Sequence, residues 1–388
     1  MAEIRLPDYN NSILNLTVSI LKSYGVKSEY NSLPILDKYL RYNYKNVILL
    51  VLDGMGENIL QNNSPDGILN KNRIGTITSV YPSTTTAAMN TYYSGLPPIS
   101  HGWVGWSLYF KEFGRTIDMF PNTDSYTGEQ FNCSKTSPKE ILKYKTVYQQ
   151  ISEATNGKVK THRIQHNEYV RNEDFPRVSI GIRDFKSMCD AITSVCKNEE
   201  NKFVISYYDS PDKLAHEYGC YSKEVKDFIK NAEDEIENMC RELKNTDTLL
   251  IVSADHGHND VKETHDMEDI LELQDCLIMP PFVESRCLSF FIKENMKEEF
   301  KIRFNRLFEG KYELYSRKEF LQLNLLGKGN KHNKIDDFIG DYIAVGIGDT
   351  IIRPGTYISK VKHTKLSTHA GMTKNEMEVP LIIFDFKK

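Results

Sequence analysis

The sequence predicts an α/β fold, a mostly parallel β-sheet sandwiched by helices and carrying a small α+β insertion. Three observations point there. First, the apolar runs NVILLVLDG, NKFVISYYDSPD and DTLLIVSADHG each end in acidic residues at a turn: Asp53, Asp209 to Asp212, and Asp255. Short, continuous apolar runs of this kind are the pattern of strands buried on both faces, as in a parallel sheet. Second, YSKEVKDFIKNAEDEIENMCRELK, lying between the second and third runs, has Val225, Phe228, Ile229, Ala232, Ile236, Met239 and Leu243 at helical spacing. Strand, helix and strand in that order imply a parallel crossover, with ligands bound outside the carboxyl ends of the strands. Third, the texture changes between 266 and 359, where strand-like RCLSFFIK, KYELYSR and DYIAVGIGD alternate with helix-like KEEFKIRFNRLF and KEFLQLNLL.

In chain order, residues 12–41 carry apolar positions at helical spacing (Ile13, Leu14, Leu16, Val18, Ile20, Leu21, then Leu36, Tyr39, Leu40), which predicts two short helices beside the first strand. Val47–Leu52 is that strand, so Asp53 stands at its carboxyl end. YPSTTTAAMNTYYSG then sets small hydroxyl residues before a helix-compatible stretch that ends at Gly95. Hydroxyls at a helix N-terminus cap it, and the same unpaired N–H groups favour an alkoxide or a bound phosphate. After the 266–359 segment come a loop with His363 and His369 and a last buried strand, VPLIIFDF, returning to the main sheet. The expected division is a catalytic core of 1–265 with 360–388, and an insertion or cap of 266–359.

Bulk properties narrow the function. The 49 Lys and Arg are scattered among 53 Asp and Glu, for a net charge of -4, so no basic stripe is present to track a nucleic acid polymer. No stretch approaches the roughly 18 apolar residues needed to span a bilayer, and the amino terminus lacks a basic region followed by an apolar one. Seven cysteines without a C-x-x-C pair read as buried, reduced thiols. The expectation is a cytoplasmic protein with no membrane span.

The candidate chemistry lies at the strand ends. SADHGHND stacks Asp255, His256 and His258 after a buried strand; SPDKLAHEYG sets Asp212 and His216 four apart, on one face of a helix; STHAGM supplies His369. Each residue alone has a bland reading as a cap, a turn or a solvated helix face. The strand order, however, brings the acidic ends to one edge. Carboxylates with imidazoles suit zinc, with manganese as the alternative, and do not suit calcium, which takes oxygen only.

With these residues in place, the sequence resembles the alkaline phosphatase superfamily and, within it, the type I phosphodiesterase/nucleotide pyrophosphatase family. The motifs are VLDGMG, YPSTTTAAM followed by SGLPPISHG, PDKLAHEYG, SADHGH, and THAGM followed by VPLIIF, in the family's order from residue 47 to 384. The resemblance implies two divalent metal ions, Asp53, Asp255 and His256 holding one and Asp212, His216 and His369 the other. It implies Thr85, ten residues before Gly95, as metal-bound nucleophile, with Thr84 and Thr86 as the register alternatives. A small phosphorylated substrate would then be cleaved by in-line displacement through a phospho-threonine. His258 is expected beside the ligands or as an incidental neighbour.

One departure bears on the substrate. Where the family's nucleotide pyrophosphatases place an asparagine on the phosphoryl group, HGWVGW has Trp106, whose indole offers a single N–H. Trp103 and Trp106 together are a candidate wall for an apolar or ring-shaped leaving group, or part of the core. The leading expectation is a zinc-dependent phosphodiesterase or pyrophosphatase. The alternatives are a phosphomonoesterase or phosphonate hydrolase on the same metals, a phosphosugar mutase, and a non-catalytic binding module. A sulfatase is disfavoured, since no Cys or Ser stands in a C/S-x-P-x-R context.

Overall fold

The structure is a computed structural model and describes residues 3–133, 136–170, 177–355 and 365–387. His363 and the expected boundary at residue 359 lie outside the described residues.

Seven strands form the central sheet, in the order Arg73–Thr78, Glu378–Phe386, Thr248–Ser253, Asn46–Leu52, Asn201–Tyr208, Val159–His166, Arg177–Ile182. Every neighbouring pair is parallel except those made by Glu378–Phe386, which runs antiparallel between Thr248–Ser253 and Arg73–Thr78. The expected mostly parallel sheet is therefore present, and the last apolar run returns to it. Asn46–Leu52 is buried at every position, as the apolar run Val47–Leu52 requires, with the Asn46 amide satisfied by Cys196 O, Thr246 O and Thr248 Oγ1.

Register decides where the chemistry goes. Leu52 stands opposite Tyr208, and Val51 opposite Ser253. Three strands thus run out level, and Asp53, the Asp209–Asp212 turn and Asp255 emerge along one edge. Lys223–Leu243 is the predicted amphipathic helix: Ser222 caps it by accepting from Val225 N, and Val225, Ile229, Ala232, Ile236, Met239 and Leu243 are buried along one face. Ile13–Ser23, buried from Ile13 through Leu21, packs against the helices Pro34–Leu40 and Thr85–Ser94 and so backs the hydroxyl-rich turn. Gly95 ends Thr85–Ser94 with φ 68°, and a Cβ there would lie 2.5 Å from Leu21 Cδ1.

A second sheet of seven strands has the order Tyr312–Ser316, Tyr342–Gly346, Cys287–Phe290, Phe282–Glu284, Ser107–Phe110, Arg115–Asp118, Thr123–Asp124. Its first four strands, with the helices Lys297–Phe308 and Arg317–Gln322, lie in the segment whose texture changes. The other three come from 107–124, a hairpin the sequence reading had not separated from the core. Glu263–Asp266 pairs in parallel with Thr350–Arg353, bringing together the two ends of the intervening chain. Across the join, Arg286 and Glu376, both with 0% exposed side chains, form a bidentate pair at 2.6 and 2.8 Å.

Six of the seven cysteines are buried and all are free thiols, in line with the apolar role expected of them. Among the described residues, no helix is long and apolar enough to cross a membrane.

Candidate active site and metal cluster

The carboxyl edge of the central sheet gathers two adjoining groups of side chains. Asp53, Asp255 and His256 form one; Asp212, His256, His258 and His369 form the other, the candidate ligand atoms of each lying within 4.8 Å of one another.

The first group grows directly from strand ends. Asp255 Oδ1 accepts from Gly54 N and His256 N, both at 3.0 Å, leaving Oδ2 buried without a hydrogen-bond partner. Asp53 Oδ2 takes the Tyr207 hydroxyl in a short contact, and Asp53 Oδ1 is likewise buried and unpartnered. His256 Nε2 lies 3.4 Å from each of these two unpartnered oxygens. Burial, then the charges of Asp255 and Asp212, pushes the Asp53 carboxyl well above its ordinary value. Two carboxylates, each with a bare oxygen facing His256, are thus set close together with no cation in their own group.

Thr85 opens the helix Thr85–Ser94, its Oγ1 3.2 Å from His256 Nε2 and 3.4 Å from Asp53 Oδ2. The hydroxyl of Thr84, the N-cap, turns away to donate to Glu284 Oε1 at 2.7 Å, and Thr86 is buried with an unpartnered hydroxyl. Of the three threonines, Thr85 is the one whose oxygen reaches the carboxylates and imidazoles, at a helix start whose amides have no acceptor within the helix.

The second group comes from a helix and a loop. Asp212 lies on Asp212–Tyr218 and His369 follows the strand Ser367–Thr368. His216, one turn on from Asp212, adjoins the group without being one of its four members. Of the expected set, Asp212 and His369 are thus brought together, with His256 and His258 beside them. Three rings are oriented alike. His256 Nδ1 donates to Gly257 O at 3.0 Å, His216 Nδ1 to Ser367 O at 2.7 Å, and His369 Nδ1 to Ser83 O at 3.1 Å. A carbonyl only accepts, so each Nδ1 carries the hydrogen and a neutral ring keeps its lone pair on Nε2, toward the cluster. Burial holds His216 and His369 well below the ordinary imidazole range, which favours those neutral rings.

His258 is engaged differently. The Ser367 hydroxyl donates to Ala215 O at 2.6 Å, so its oxygen accepts from His258 Nδ1 at 3.1 Å. His258 Nε2 then faces Asp212 Oδ1 at 2.6 Å, and a proton must lie between them. Burial opposes ionisation of Asp212, but His216 and His258 outweigh it and hold the carboxyl well below its usual range. His258 thus orients Asp212, whose Oδ1 is also 3.4 Å from His216 Nε2 and 3.5 Å from His369 Nε2.

With this geometry in view, the comparison with known families is decisive. The profile of the type I phosphodiesterase/nucleotide pyrophosphatase family matches residues 47–339.

The chain belongs to that family.

It is accordingly a phosphoester hydrolase with the alkaline-phosphatase-like fold of its superfamily. Among solved structures, murine ectonucleotide pyrophosphatase/phosphodiesterase 5, an inactive threonine-to-alanine variant in complex with AMP, is 16% identical. Its TM-score is 0.63, and the match covers 86% of this chain and 87% of that one. The human protein of the same name is 16% identical with a TM-score of 0.62, covering 87% of each chain. Phosphonoacetate hydrolase from Sinorhizobium meliloti, in complex with phosphonoformate, is 16% identical with a TM-score of 0.61, covering 87% and 89%. No curated protein matches the sequence.

Against the family's pattern, the tryptophans separate. Trp103 is buried, 6.2 Å from Phe120, and its Nε1 donates to Leu142 O at 3.1 Å, which fits the core reading of this ring. Trp106 is half-buried, set edge-on to Phe120 at 5.8 Å, and its backbone N–H donates to Glu284 Oε1 at 2.8 Å. Sequence reasoning did not find Glu284, Tyr207, Ser367 or Lys365, whose Nζ lies 3.0 Å from His216 Nε2. Only Tyr207 carried a signal, at the end of an apolar run two residues before an acidic turn.

Proposed function

We propose that this family member is a zinc-dependent phosphoester hydrolase of the phosphodiesterase/nucleotide pyrophosphatase type, working through a phospho-threonine at Thr85. The observation that carries the reading is the pair of bare, buried oxygens, Asp53 Oδ1 and Asp255 Oδ2, each facing the lone pair of His256 Nε2. Buried charges are ordinarily paired or bound to metal, and this donor set of carboxylates and imidazoles fits zinc, with manganese second. Asp53, Asp255 and His256 would hold one ion, and Asp212, His216 and His369 the other. Two such ions supply positive charge to a phosphoryl group and lower the proton affinity of a bound hydroxyl.

The rest is done by the chain. Thr85 Oγ1 is the nucleophile, and Asp53 Oδ2, at 3.4 Å, is the acceptor for its proton. The Oγ–P bond forms as the leaving-group oxygen departs, and the amides of the helix start receive the phosphoryl oxygens. Water then attacks phosphorus and breaks the Oγ–P bond, giving its hydroxyl to phosphorus and a proton that balances the one taken up by the departed leaving-group oxygen; phosphate or a phosphomonoester is released and Thr85 recovers its proton. Small phosphate and phosphonate anions, the class bound by the murine and S. meliloti neighbours, are the substrates this reading favours.

A second reading, phosphomonoester or phosphonate hydrolysis on the same residues, is favoured by one observation: the Lys365 ammonium beside His216 adds a positive charge to the site.

The test is turnover of bis-p-nitrophenyl phosphate and p-nitrophenyl phosphate by the zinc-loaded chain, with metal content measured in parallel. We expect two zinc equivalents, cleavage abolished by Thr85→Ala, and a phosphorylated Thr85 peptide after acid quenching. Full activity in Thr85→Ala would sink the nucleophile assignment. Phosphate passed back to the substrate without release would mark a mutase, and metal-free protein with no turnover would mark a binding module.

A further inference from the structure

We propose that Lys365 is a specificity residue that binds a terminal, doubly charged phosphoryl group and so selects phosphomonoesters or phosphonates over phosphodiesters. The inference rests on the metal-site reading above and narrows its substrate class.

The argument starts from the atom that Lys365 occupies. Its Nζ donates to His216 Nε2 at 3.0 Å, and that nitrogen has its lone pair free because Nδ1 is committed to Ser367 O. This is the lone pair His216 would give to a metal ion. Once it is given, the ammonium loses this acceptor while staying at the site, because the backbone beside it is pinned. Leu366 N donates to His216 O at 2.9 Å, and Ser367–Thr368 pairs with Asn259–Asp260. A cation tethered at an active site then exchanges an imidazole acceptor for whatever anion enters.

Its position relative to the nucleophile follows from the groups that feel its charge. These are His216 on the 212–218 helix, His258 after the third strand, and Glu284 from the second sheet. Glu284 accepts from the Thr84 hydroxyl and from Trp106 N, next to Thr85 on one side and to the departure from the family's asparagine on the other. Lys365 therefore stands at the edge of the candidate metal cluster, beside His216, with its charge felt at the Glu284 carboxylate that holds the Thr84 hydroxyl. Val283, just before Glu284, is held at φ 91°, a conformation costly for a β-branched residue, so the carboxylate is brought to this place against local preference. Burial also favours the neutral form of Glu284, which limits its repulsion of an incoming anion.

The chemistry sets the selectivity. A phosphodiester has one negative charge at the phosphorus centre, whereas the dianion of a monoester or phosphonate has two and exposes a third non-bridging oxygen. That oxygen needs a donor. An asparagine amide would serve either class, but this chain has Trp106 there and a lysine nearby. An ammonium is a point charge suited to phosphate and makes charge-assisted hydrogen bonds stronger than neutral ones.

The experiment compares the zinc-loaded full chain with Lys365→Ala and Lys365→Arg on p-nitrophenyl phosphate and bis-p-nitrophenyl phosphate. Inorganic phosphate binding to Thr85→Ala, with and without Lys365→Ala, is measured by calorimetry, and zinc content is measured for every protein. We expect Lys365→Ala to lower monoester kcat/KM about 10- to 100-fold, the range for a lost hydrogen bond to a charged group. Diester kcat/KM should change less than about 3-fold, since that substrate lacks the second charge. Phosphate affinity should fall about 10-fold or more, with partial recovery of monoester turnover in Lys365→Arg. Diester turnover is the internal control for folding. An equal loss on both substrates, or phosphate binding indifferent to Lys365, would overturn this inference while two bound zinc ions left the broader reading standing. A chain that binds no zinc would overturn both.

Discussion

The two halves of the candidate metal cluster are built on different principles. Asp53, Asp255 and His256 sit at the ends of adjacent parallel strands, nearly sealed from solvent at 3%, 0% and 0% exposure, with two carboxylate oxygens left bare. Asp212, His216 and His369 come from a seven-residue helix and a loop, and there Asp212 is already surrounded by imidazoles, with His258 hydrogen-bonded to its Oδ1. The strand-end half is rigid and short of positive charge; the helix-and-loop half is internally compensated and stays partly open. Rigidity is cheap where a sheet register supplies it, whereas the second half depends on hydrogen bonds between segments distant in sequence.

The largest expected effect comes from cutting the tie between the halves. Glu376 accepts from Gly371 N and Thr373 beside His369, and its own carbonyl accepts from Gly257 N beside His256. Its carboxylate also neutralises the fully buried Arg286. Glu376→Ala keeps the carbonyl on Gly257 N but strands that guanidinium and frees the His369 loop, and should cost about 3–5 kcal/mol in urea unfolding, with both candidate metal sites weakened together as the join loosens. A loss confined to one site would mean the halves are anchored independently.

Next in size is a steric test of how closely the halves are joined. Gly54 follows Asp53 at φ 72°, and a Cβ there would meet Asp212 Cα at 2.8 Å and His258 Cδ2 at 2.9 Å. Gly54→Ala must push the helix-borne half away from the strand-borne one. Zinc stoichiometry should drop toward one, with turnover reduced on the order of 100-fold, as for misplacement of groups around a catalytic centre. Two tightly bound zinc ions in the variant would show the second half to be more adaptable than its contacts suggest.

These contacts also explain what the sequence could tell. The parallel sheet, the Lys223–Leu243 helix and the shared edge of Asp53, Asp212 and Asp255 were legible because apolar period and strand-end turns are local signals. Strand order brought the acidic ends together, while the division into two ligand sets, Asp53, Asp255 and His256 against Asp212, His216 and His369, came through the family motifs. The hairpin 107–124 escaped because its strands are four residues or fewer and borrow their partner from 282–284. Glu284, Lys365 and the Ser367–His258–Asp212 chain escaped for a deeper reason. Their meaning lies in contacts across 46 to 200 residues, which no spacing rule encodes.

The halves should also answer pH with opposite signs once metal is removed. Asp53 has a folded-state pKa raised above its unfolded value, so it favours folding at low pH and loses that contribution as pH rises through the folded pKa. His216 and His369 have lowered folded-state values, so their contribution is present above the unfolded imidazole pKa and is lost as pH falls from there through the folded pKa. In chelator-treated protein near neutral pH, Asp53→Asn should therefore raise Tm by about 2 °C or more, and the gain should shrink toward acid. His216→Gln should flatten the loss of stability on acidification instead. Identical pH profiles for the two variants would remove the electrostatic distinction between the halves.

The smallest effect tests whether the helix-and-loop half is organised by its hydrogen bonds or merely accompanied by them. Ser367 Oγ donates to Ala215 O and accepts from His258 Nδ1, while Ser367 O fixes His216 Nδ1. Ser367→Ala removes the hydroxyl and keeps the carbonyl, so His216 retains its tautomer while His258 loses the partner that turns it toward Asp212. Partners one step removed from a metal typically contribute 10- to 100-fold to affinity, and a loss near the lower figure, about 10-fold, is expected for the second zinc alone. Zinc at the proposed Asp53, Asp255 and His256 site, away from Ser367, should keep its affinity. A matching loss at both sites would instead place His258 and Ser367 in one network with the strand ends, and the cluster would have to be treated as a single unit.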